Sequence, residues 1–459
     1  MEPNTISMTA IDSQLEAILP PIYGANAIEQ IVRYRKALLT FRDRFGATGQ
    51  VHIVRAPGRV NLIGEHTDYN HGYVMPAALD KDVVILAQPR SDDMIHLHNS
   101  ERLFAPITFP IASQVPPAPR GDWGNYARGV VQVFTQFMGS SPPGMDLLIV
   151  SASPHGVPRG AGLSSSTAFT VALGLTLCHL AGWSIEPEQL IQLCSDSEWY
   201  VGTRGGIMDQ FAALFGRKGH ALFLDCRPGS NGHYRYQPLP LPQTYRLLVV
   251  DSGIHHENTH GEFNQRVAAC RAGVALLRRD HPTITHLRDV QAIPWDLLEP
   301  LLPERISVGD LVKANIDLGE LPGLTPSTQL HVRARCRHIW SENQRVAHAV
   351  DALESNNIEA LGDLLDEAHR SARDDYAISC PELEVLIKSA HEVDGVYGTR
   401  LTGAGWGGCI IALVHEDAVQ HFQQHIQQRY QEATGQIAAI FPCQVGTCAA
   451  PLSPLSLGR

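Results

Sequence analysis

A loop of small residues between an apolar strand and an apolar helix constrains this chain more than any other stretch. Met145-Asp-Leu-Leu-Ile-Val150 reads as a strand. Pro158-Arg-Gly-Ala-Gly-Leu-Ser-Ser-Ser-Thr-Ala168 follows, and an apolar helix runs from Phe169 to Leu180. Strand, loop and helix in that order present successive backbone N–H groups and a helix N-terminus to an anion. Gly160 and Gly162 let the backbone approach a phosphate closely, with Ala161 and Leu163 between and after them. Ser164, Ser165 and Ser166 offer hydroxyls to phosphate oxygens or to a magnesium ion. A helix cap needs one or two serines, so three after Gly-x-Gly favour a phosphate cradle. The stretch is not a Walker loop, since it lacks Gly-x-x-x-x-Gly-Lys-Ser/Thr, and the chain has no protein-kinase His-Arg-Asp and Asp-Phe-Gly set.

Two further stretches ask for partners. Arg55-Ala-Pro-Gly-Arg-Val-Asn-Leu-Ile-Gly-Glu-His-Thr-Asp-Tyr69 follows a short strand at Val51–Arg55. It places Arg59, Glu65, His66 and Asp68 where an apolar strand edge feeds charged groups into a tight turn, a way to line a polar pocket. The stretch from Tyr397 to Val414 holds Gly398, Gly403, Gly405, Gly407 and Gly408 before an apolar strand, so another backbone or a ligand must come close there. Asp209 follows a glycine pair in an apolar context and is either a helix N-cap or a placed base; the stretch alone does not separate the two.

With 459 residues the chain is expected to form two domains or one bilobal unit. Hydrophobic content of 44% and charged content of 18% suit a soluble globular protein that buries a core. A net charge of -11 argues against a nucleic-acid binder but not against a small anionic ligand, because local amides outweigh global charge. The nine cysteines form no CxxC pair, so a reducing cytoplasm fits. There is no signal-peptide pattern and no run of the ~20 apolar residues that a membrane span needs. His255, His256 and His260 cluster, but no carboxylate or cysteine pattern completes a metal site. Residues 1–26 read as a loosely attached extension ending at Pro20-Pro21. Helices are expected at Ala27–Phe45, from Trp123 to Phe137, and over 188–201, 264–279, 331–353, 358–372 and 416–434. Residues 281–331 are irregular and Pro-rich, and the Gly/Pro-rich run 227–244 marks a boundary, giving lobes 27–230 and 231–459.

Taken together the three stretches resemble the GHMP small-molecule kinases, and within them the galactokinase family. Gly58-Arg-Val-Asn-Leu-Ile-Gly-Glu-His-Thr-Asp-Tyr-Asn70 resembles the galactokinase signature nearly residue for residue. Gly162-Leu-Ser-Ser-Ser166 resembles the ATP-binding loop, and Leu401-Thr-Gly-Ala-Gly-Trp-Gly-Gly408 the third motif. Supporting matches are Trp123-x-Asn-Tyr126, Gly206-Ile-Met-Asp-Gln210, Ser341-Glu-Asn-Gln-Arg345 and Arg373-Asp-Asp-Tyr376.

The resemblance covers about residues 27–450. It implies an α+β, bilobal GHMP-kinase fold, with a ribosomal-protein-S5-like N-terminal lobe, a ferredoxin-like C-terminal lobe and the site between them. It implies transfer of the γ-phosphoryl of MgATP to O1 of α-D-galactose, by a monomer that takes ATP and a galactose-like sugar as its partners and needs neither nucleic acid nor membrane. By the same resemblance Asp209 is the carboxylate beside O1 and Arg59 its cationic partner. Glu65, His66 and Asp68 hydrogen-bond the sugar hydroxyls, with Gly206 and Phe263 beside them. The amides of Gly160–Ser166 hold the triphosphate, Trp123 packs near the base, and Ser165 with Glu198 binds Mg2+.

Two positions depart from the family pattern. Family members carry three residues between the metal-binding Glu and a Val-Gly pair, whereas only Trp199-Tyr200 separates Glu198 from Val201-Gly202, and Ser197 fills the matching slot. One helical step is about 100°, so either the helix is locally adjusted or Glu198 does not reach the metal; we expect Glu198 to serve. The family's sugar-contacting Tyr is Phe263 here, which implies weaker galactose binding or a different sugar. Alternatives are therefore a related kinase acting on C1 of galacturonate, arabinose or a similar sugar, and a non-catalytic galactose sensor.

Overall fold

The structure, a computed structural model, describes residues 8–46, 49–202, 206–242, 244–254 and 259–457. The first lobe opens with helices α1 (Met8–Ile18), α2 (Pro20–Tyr23) and α3 (Ala27–Phe45). Strands β1 (Gln50–Asn61), β2 (Tyr73–Val74), β3 (Pro76–Pro89), β4 (Met94–Asn99) and β5 (Ile107–Pro110) follow. Then come α4 (Gly124–Met138), β6 (Met145–Val150), α5 (Ser165–Ala181), α6 (Pro187–Ser197), α7 (Met208–Phe215), β7 (His220–Asp225) and β8 (Arg235–Pro240). The second lobe begins with β9 (Tyr245–Asp251) and α8 (Thr259–Leu277). A stretch of short pieces carries α9 (Trp295–Leu298), β10 (Ile306–Ser307), α10 (Val308–Lys313) and β11 (Gln329–Leu330). It is followed by α11 (Val332–Glu354), α12 (Ile358–Asp374), α13 (Pro381–His391), β12 (Val396–Thr402), β13 (Cys409–His415), α14 (Val419–Thr434), β14 (Ala439–Cys443) and β15 (Ala450–Ser456).

The main sheet of the first lobe runs β15-β1-β3-β6-β4-β5, and that of the second β12-β13-β9-β14. Helix α5 is apolar on every side because it packs on both β1 and β3 and against its neighbouring helices α4, α6 and α7. Strand β1 extends well past the five residues expected, to Asn61, with a register shift between Pro57 and Arg59 against β3. Such a bulge accommodates a proline and re-aims the next side chain, here Arg59.

Two expectations on organisation are corrected. Residues 8–26 are not loosely attached. Ile11, Leu15, Leu19 and Tyr23 recur every four residues and are buried against α3 and the outer face of the main sheet. Pro20-Pro21 interrupts that period in sequence but sits harmlessly in the first turn of α2, where no N–H is needed. The lobes also do not divide at 230/231. Strand β8 pairs with β7, and β15 returns to pair with β1 from Gln50↔Ser456 to Arg55↔Ala450, so the end of the chain belongs to the first lobe.

One buried cluster ties these ends together. Asp82 accepts from Arg33 Nη1 at 2.7 Å, Arg55 Nε at 2.6 Å and Tyr23 Oη at 2.6 Å. Arg55 also donates to the carbonyls of Thr447 and Cys448 at 3.2 and 2.9 Å.

Candidate active site

Arg59, just past the bulge in β1, joins two halves of a cavity of about 210 Å³. Its Nε and Nη2 meet Oδ1 and Oδ2 of Asp209 at 2.7 and 2.9 Å, and its Nη1 donates to the Gly162 carbonyl at 2.6 Å. The fork-on-carboxylate geometry fixes both side chains, as a lysine could not. Asp209 is the second residue of α7 rather than its cap, so the helix N-terminus adds a favourable field to the carboxylate.

The small-residue loop has the shape its glycines imply. Gly160, Gly162 and Ser164 all have positive φ, at 72°, 71° and 58°, while the side chains of Ala161 and Leu163 between them are buried in the core. Alternation of this kind turns backbone N–H groups towards a common side, ahead of the open N-terminus of α5. Ser164 donates to Asp209 Oδ2. Ser166 and Thr167 line the cavity, while Ser165, the first residue of α5, is not among the lining residues. Successive residues on a helix point about 100° apart, so a single step decides which one faces the cleft.

Glu198 does face it. Helix α6 ends at Ser197 and the chain tightens into a 3₁₀ turn over Glu198–Val201, the local adjustment that the shortened spacing requires. Ser197 points away and donates to Leu193 O at 2.6 Å. The Glu198 carboxylate accepts from Thr167 Oγ1 at 2.8 Å and Thr170 Oγ1 at 3.3 Å. Burial pushes it up to about 7 against those hydrogen bonds. A buried carboxylate with no cationic side chain in contact among the described residues fits a divalent ion, whose charge would offset that burial. Glu198→Gln is expected to weaken the divalent-ion dependence of turnover at least about tenfold, read from turnover against free ion concentration, with the sugar KM little changed.

The other half of the cavity is lined by Glu65, His66, Asp68, Gly206 and Phe263. Glu65 is held by Gly403 N at 2.7 Å on Oε1 and by Asn61 Nδ2 at 3.0 Å on Oε2. Burial, then the charge of Asp209, raises Asp68 to about 6. A Cβ on Gly206 would stand 2.1 Å from Asp68 Oδ2, so glycine there lets the two loops share the space. His66, expected to grip a sugar hydroxyl, lines this half of the cavity and is itself held from both sides. Its Nε2 lies 3.1 Å from the Ala404 carbonyl and its Nδ1 2.7 Å from Tyr69 Oη, so both nitrogens are committed. Burial lowers it to about 3, and the neutral ring forms a wall beside Phe263, whose centroid is 5.5 Å away. Trp123 sits at the start of α4, donates to Ala105 O at 3.1 Å and lies 6.2 Å from the Phe169 ring on α5.

Several residues that the sequence left without a role brace this wall. Glu342 Oε1 accepts from Gly64 N at 2.8 Å, and Asn343 Oδ1 from Tyr73 N at 2.7 Å, which explains the Ser341–Arg345 match. Arg400, fully buried within the third motif's strand, donates to Leu62 O at 2.9 Å and lies 3.4 Å from Glu65. Gly403 and Gly162 meet backbone to backbone: a Cβ on Gly403 would stand 3.0 Å from Gly162 Cα. His255 and His256, and the side chain of His260, lie outside the described residues.

A model of the galactokinase galactose-binding signature matches residues 39–89, and the N- and C-terminal GHMP kinase domain models match 125–217 and 349–432. A galactokinase of Roseiflexus sp. is 39% identical over 412 residues, covering 88% of this chain and 94% of that protein. The chain belongs to the galactokinase family. The human galactokinase is 37% identical, covering 86% of this chain and 91% of its own. A crystal structure of Lactococcus lactis galactokinase complexed with galactose matches with a TM-score of 0.75 and 31% identity, covering 90% of this chain and 99% of that one. Methanococcus jannaschii mevalonate kinase shares the fold at a TM-score of 0.56 and 17% identity. Among the described residues no helix of this family member is long and apolar enough to cross a membrane.

Proposed function

We propose that the chain is an ATP-dependent sugar-1-kinase that transfers the γ-phosphoryl of ATP to O1 of α-D-galactose, giving α-D-galactose 1-phosphate, with Mg2+ as its divalent ion. The observation that carries this reading is the Arg59 fork on Asp209 with its third arm on Gly162 O, which fastens the sugar wall to the phosphate loop. Asp209 Oδ2 already accepts from Arg59 and Ser164, so Oδ1, with one donor, is the oxygen left to take the O1 hydroxyl. Asp209 orients O1 and takes the proton late, as the bond to phosphorus forms, which suits a loose phosphoryl-transfer transition state. Arg59 fixes the Asp209 carboxylate in place and puts positive charge beside the transferring group. Glu65 and Asp68 accept from sugar hydroxyls, and an epimer would leave a buried carboxylate unpaired. The loop amides and the N-terminus of α5 hold the triphosphate. Glu198 and Ser166 would hold Mg2+, which would offset the negative charge of the triphosphate. Nine free thiols suit a reducing cytoplasm.

The deciding experiment is ADP release with MgATP across galactose, galacturonate, arabinose and glucose. Stimulation by galactose above the others supports the reading. Stimulation by another sugar first would reassign the substrate, and stimulation by none would favour a sensor.

Phe263 is the observation behind the second reading, a related sugar kinase. Its ring lines the cavity without the hydroxyl of the family's tyrosine. A neutral hydrogen bond is worth about 0.5–1.5 kcal/mol. Phe263→Tyr is therefore expected to lower the galactose KM by roughly two- to tenfold with kcat little changed, and an unchanged or raised KM would contradict it.

A further inference from the structure

A cavity of about 370 Å³ shares no lining residue with the active site. Helix α9 contributes Trp295, α11 contributes Arg337, Trp340 and Arg345, and the end of α12 contributes Arg370 and Asp374, with Asp375 next in the chain. The chemistry is mixed in a specific way. Trp295 and Trp340 stand 5.9 Å apart and offer apolar faces of the kind that pack on sugar C–H groups. Asp375 pairs with Arg337 and Asp374 with Arg373, and each keeps lone pairs for a hydroxyl. Three guanidiniums suit a phosphate. Arg370 has no carboxylate within ion-pair distance among the described residues, and the buried indole N–H of Trp295 has no acceptor among them.

Two short chains of contacts run from this cavity to the backbone that carries Glu65. Arg345 Nε lies 2.7 Å from Glu342 Oε2, and Glu342 Oε1 holds Gly64 N at 2.8 Å. Ser371, also in the cavity wall, lies 2.9 Å from His338 Nδ1, whose Nε2 is 3.2 Å from the Glu65 carbonyl.

We propose that this cavity binds a phosphorylated sugar other than the substrate, and that its occupation weakens sugar binding in the active site. A phosphate beside Arg345 competes with Glu342 for that guanidinium. Glu342 is fully buried, so a loosened ion pair relaxes its hold on the Gly64 N–H, and Glu65 follows directly in the chain. Coupling of this kind is reciprocal: the substrate sugar must weaken the effector by the same factor. The effect on substrate affinity rests on the galactose reading above, whereas binding to the cavity does not.

The test uses glucose 6-phosphate as the probe and inorganic phosphate as the comparison, on the full chain and on the Arg337→Ala/Arg370→Ala variant. The probe is expected to quench tryptophan fluorescence in the wild type, with the signal reduced in Trp295→Phe. It is also expected to raise the galactose KM at least about threefold, and saturating galactose to raise the probe Kd by the same factor. The double variant is expected to keep its basal kcat and KM and to lose both responses. Absence of probe binding overturns the proposal, and so does an equal KM rise in the variant, which would place the probe in the active site. If inorganic phosphate reproduces the whole effect, the sugar part of the assignment falls. Should the chain turn over no sugar, the fluorescence titration of wild type against variant still decides whether the cavity binds the probe.

Discussion

Asp209→Asn is expected to lower kcat for galactose phosphorylation by about 10³-fold or more, with the KM values for ATP and galactose changed only a few-fold. General-base assistance accounts for about 10²–10⁴. The amide also cannot carry the charge that both arms of the Arg59 fork meet at 2.7 and 2.9 Å, so Arg59 is left buried without its counter-charge. Those two losses act on one unit and will not add. Arg59→Lys tests the unit from the other side: a lysine reaches one oxygen and leaves the Gly162 carbonyl without its donor, so it too should lose most of kcat. Steady-state kinetics with thermal melts of each variant separates lost chemistry from lost folding. Retention of more than about a tenth of wild-type kcat in a folded Asp209→Asn enzyme would remove Asp209 from the reaction.

What was legible in the sequence was whatever is local in the chain. Arg59, Glu65 and Asp68 lie within ten positions, and the glycine-serine loop is contiguous, so residue type and spacing were enough to find them. His66 was found for the same reason, but its hydrogen-bond partners were not. The carbonyl that occupies its Nε2 belongs to Ala404, more than three hundred residues away. Glu342 and Arg400, which hold the turn at Leu62–Gly64, are equally distant, and nothing in one sequence says that a helix and a strand from the second lobe meet that turn. Glu198 depended on whether α6 would tighten into a 3₁₀ turn, a difference smaller than the one or two residues to which any helix end is defined. Ser165 and Ser166 differ by the same single step. The α5 helix was legible as a long apolar run, and the α3 helix and most of the second-lobe helices because their patterns are long. The first helices were not, since two prolines broke a short period.

That omission concerned stability, and it leads to the largest expected effect on folding. Asp82→Ala should destabilise the protein by about 3–5 kcal/mol, because it removes one buried charge from two buried cations. The side chains of Asp82, Arg55 and Arg33 are 0%, 2% and 8% exposed, so solvent cannot replace the lost partner. The cluster joins α2, α3, β1 and the returning segment at Thr447–Cys448, so a single change loosens both ends of the chain from the sheet that carries Arg59. Tyr23→Phe, which deletes one neutral donor and keeps the ring, should cost only about 0.5–1.5 kcal/mol. The pH dependence has a definite sign. Burial raises the Asp82 carboxyl, but Arg33 and Arg55 together outweigh it and hold the group below its ordinary value. Its contribution is therefore present above the unfolded value of about 3.9 and is lost as pH falls through the folded one. Denaturant melts should show the full gap between wild type and Asp82→Ala at pH 7, undiminished at pH 5 and closing only below about pH 4. A gap that closed between pH 5 and 7 would mean that Asp82 is not held ionised by its two arginines, and the fastening of the first helices would have to rest on Leu15, Leu19 and Tyr23 alone.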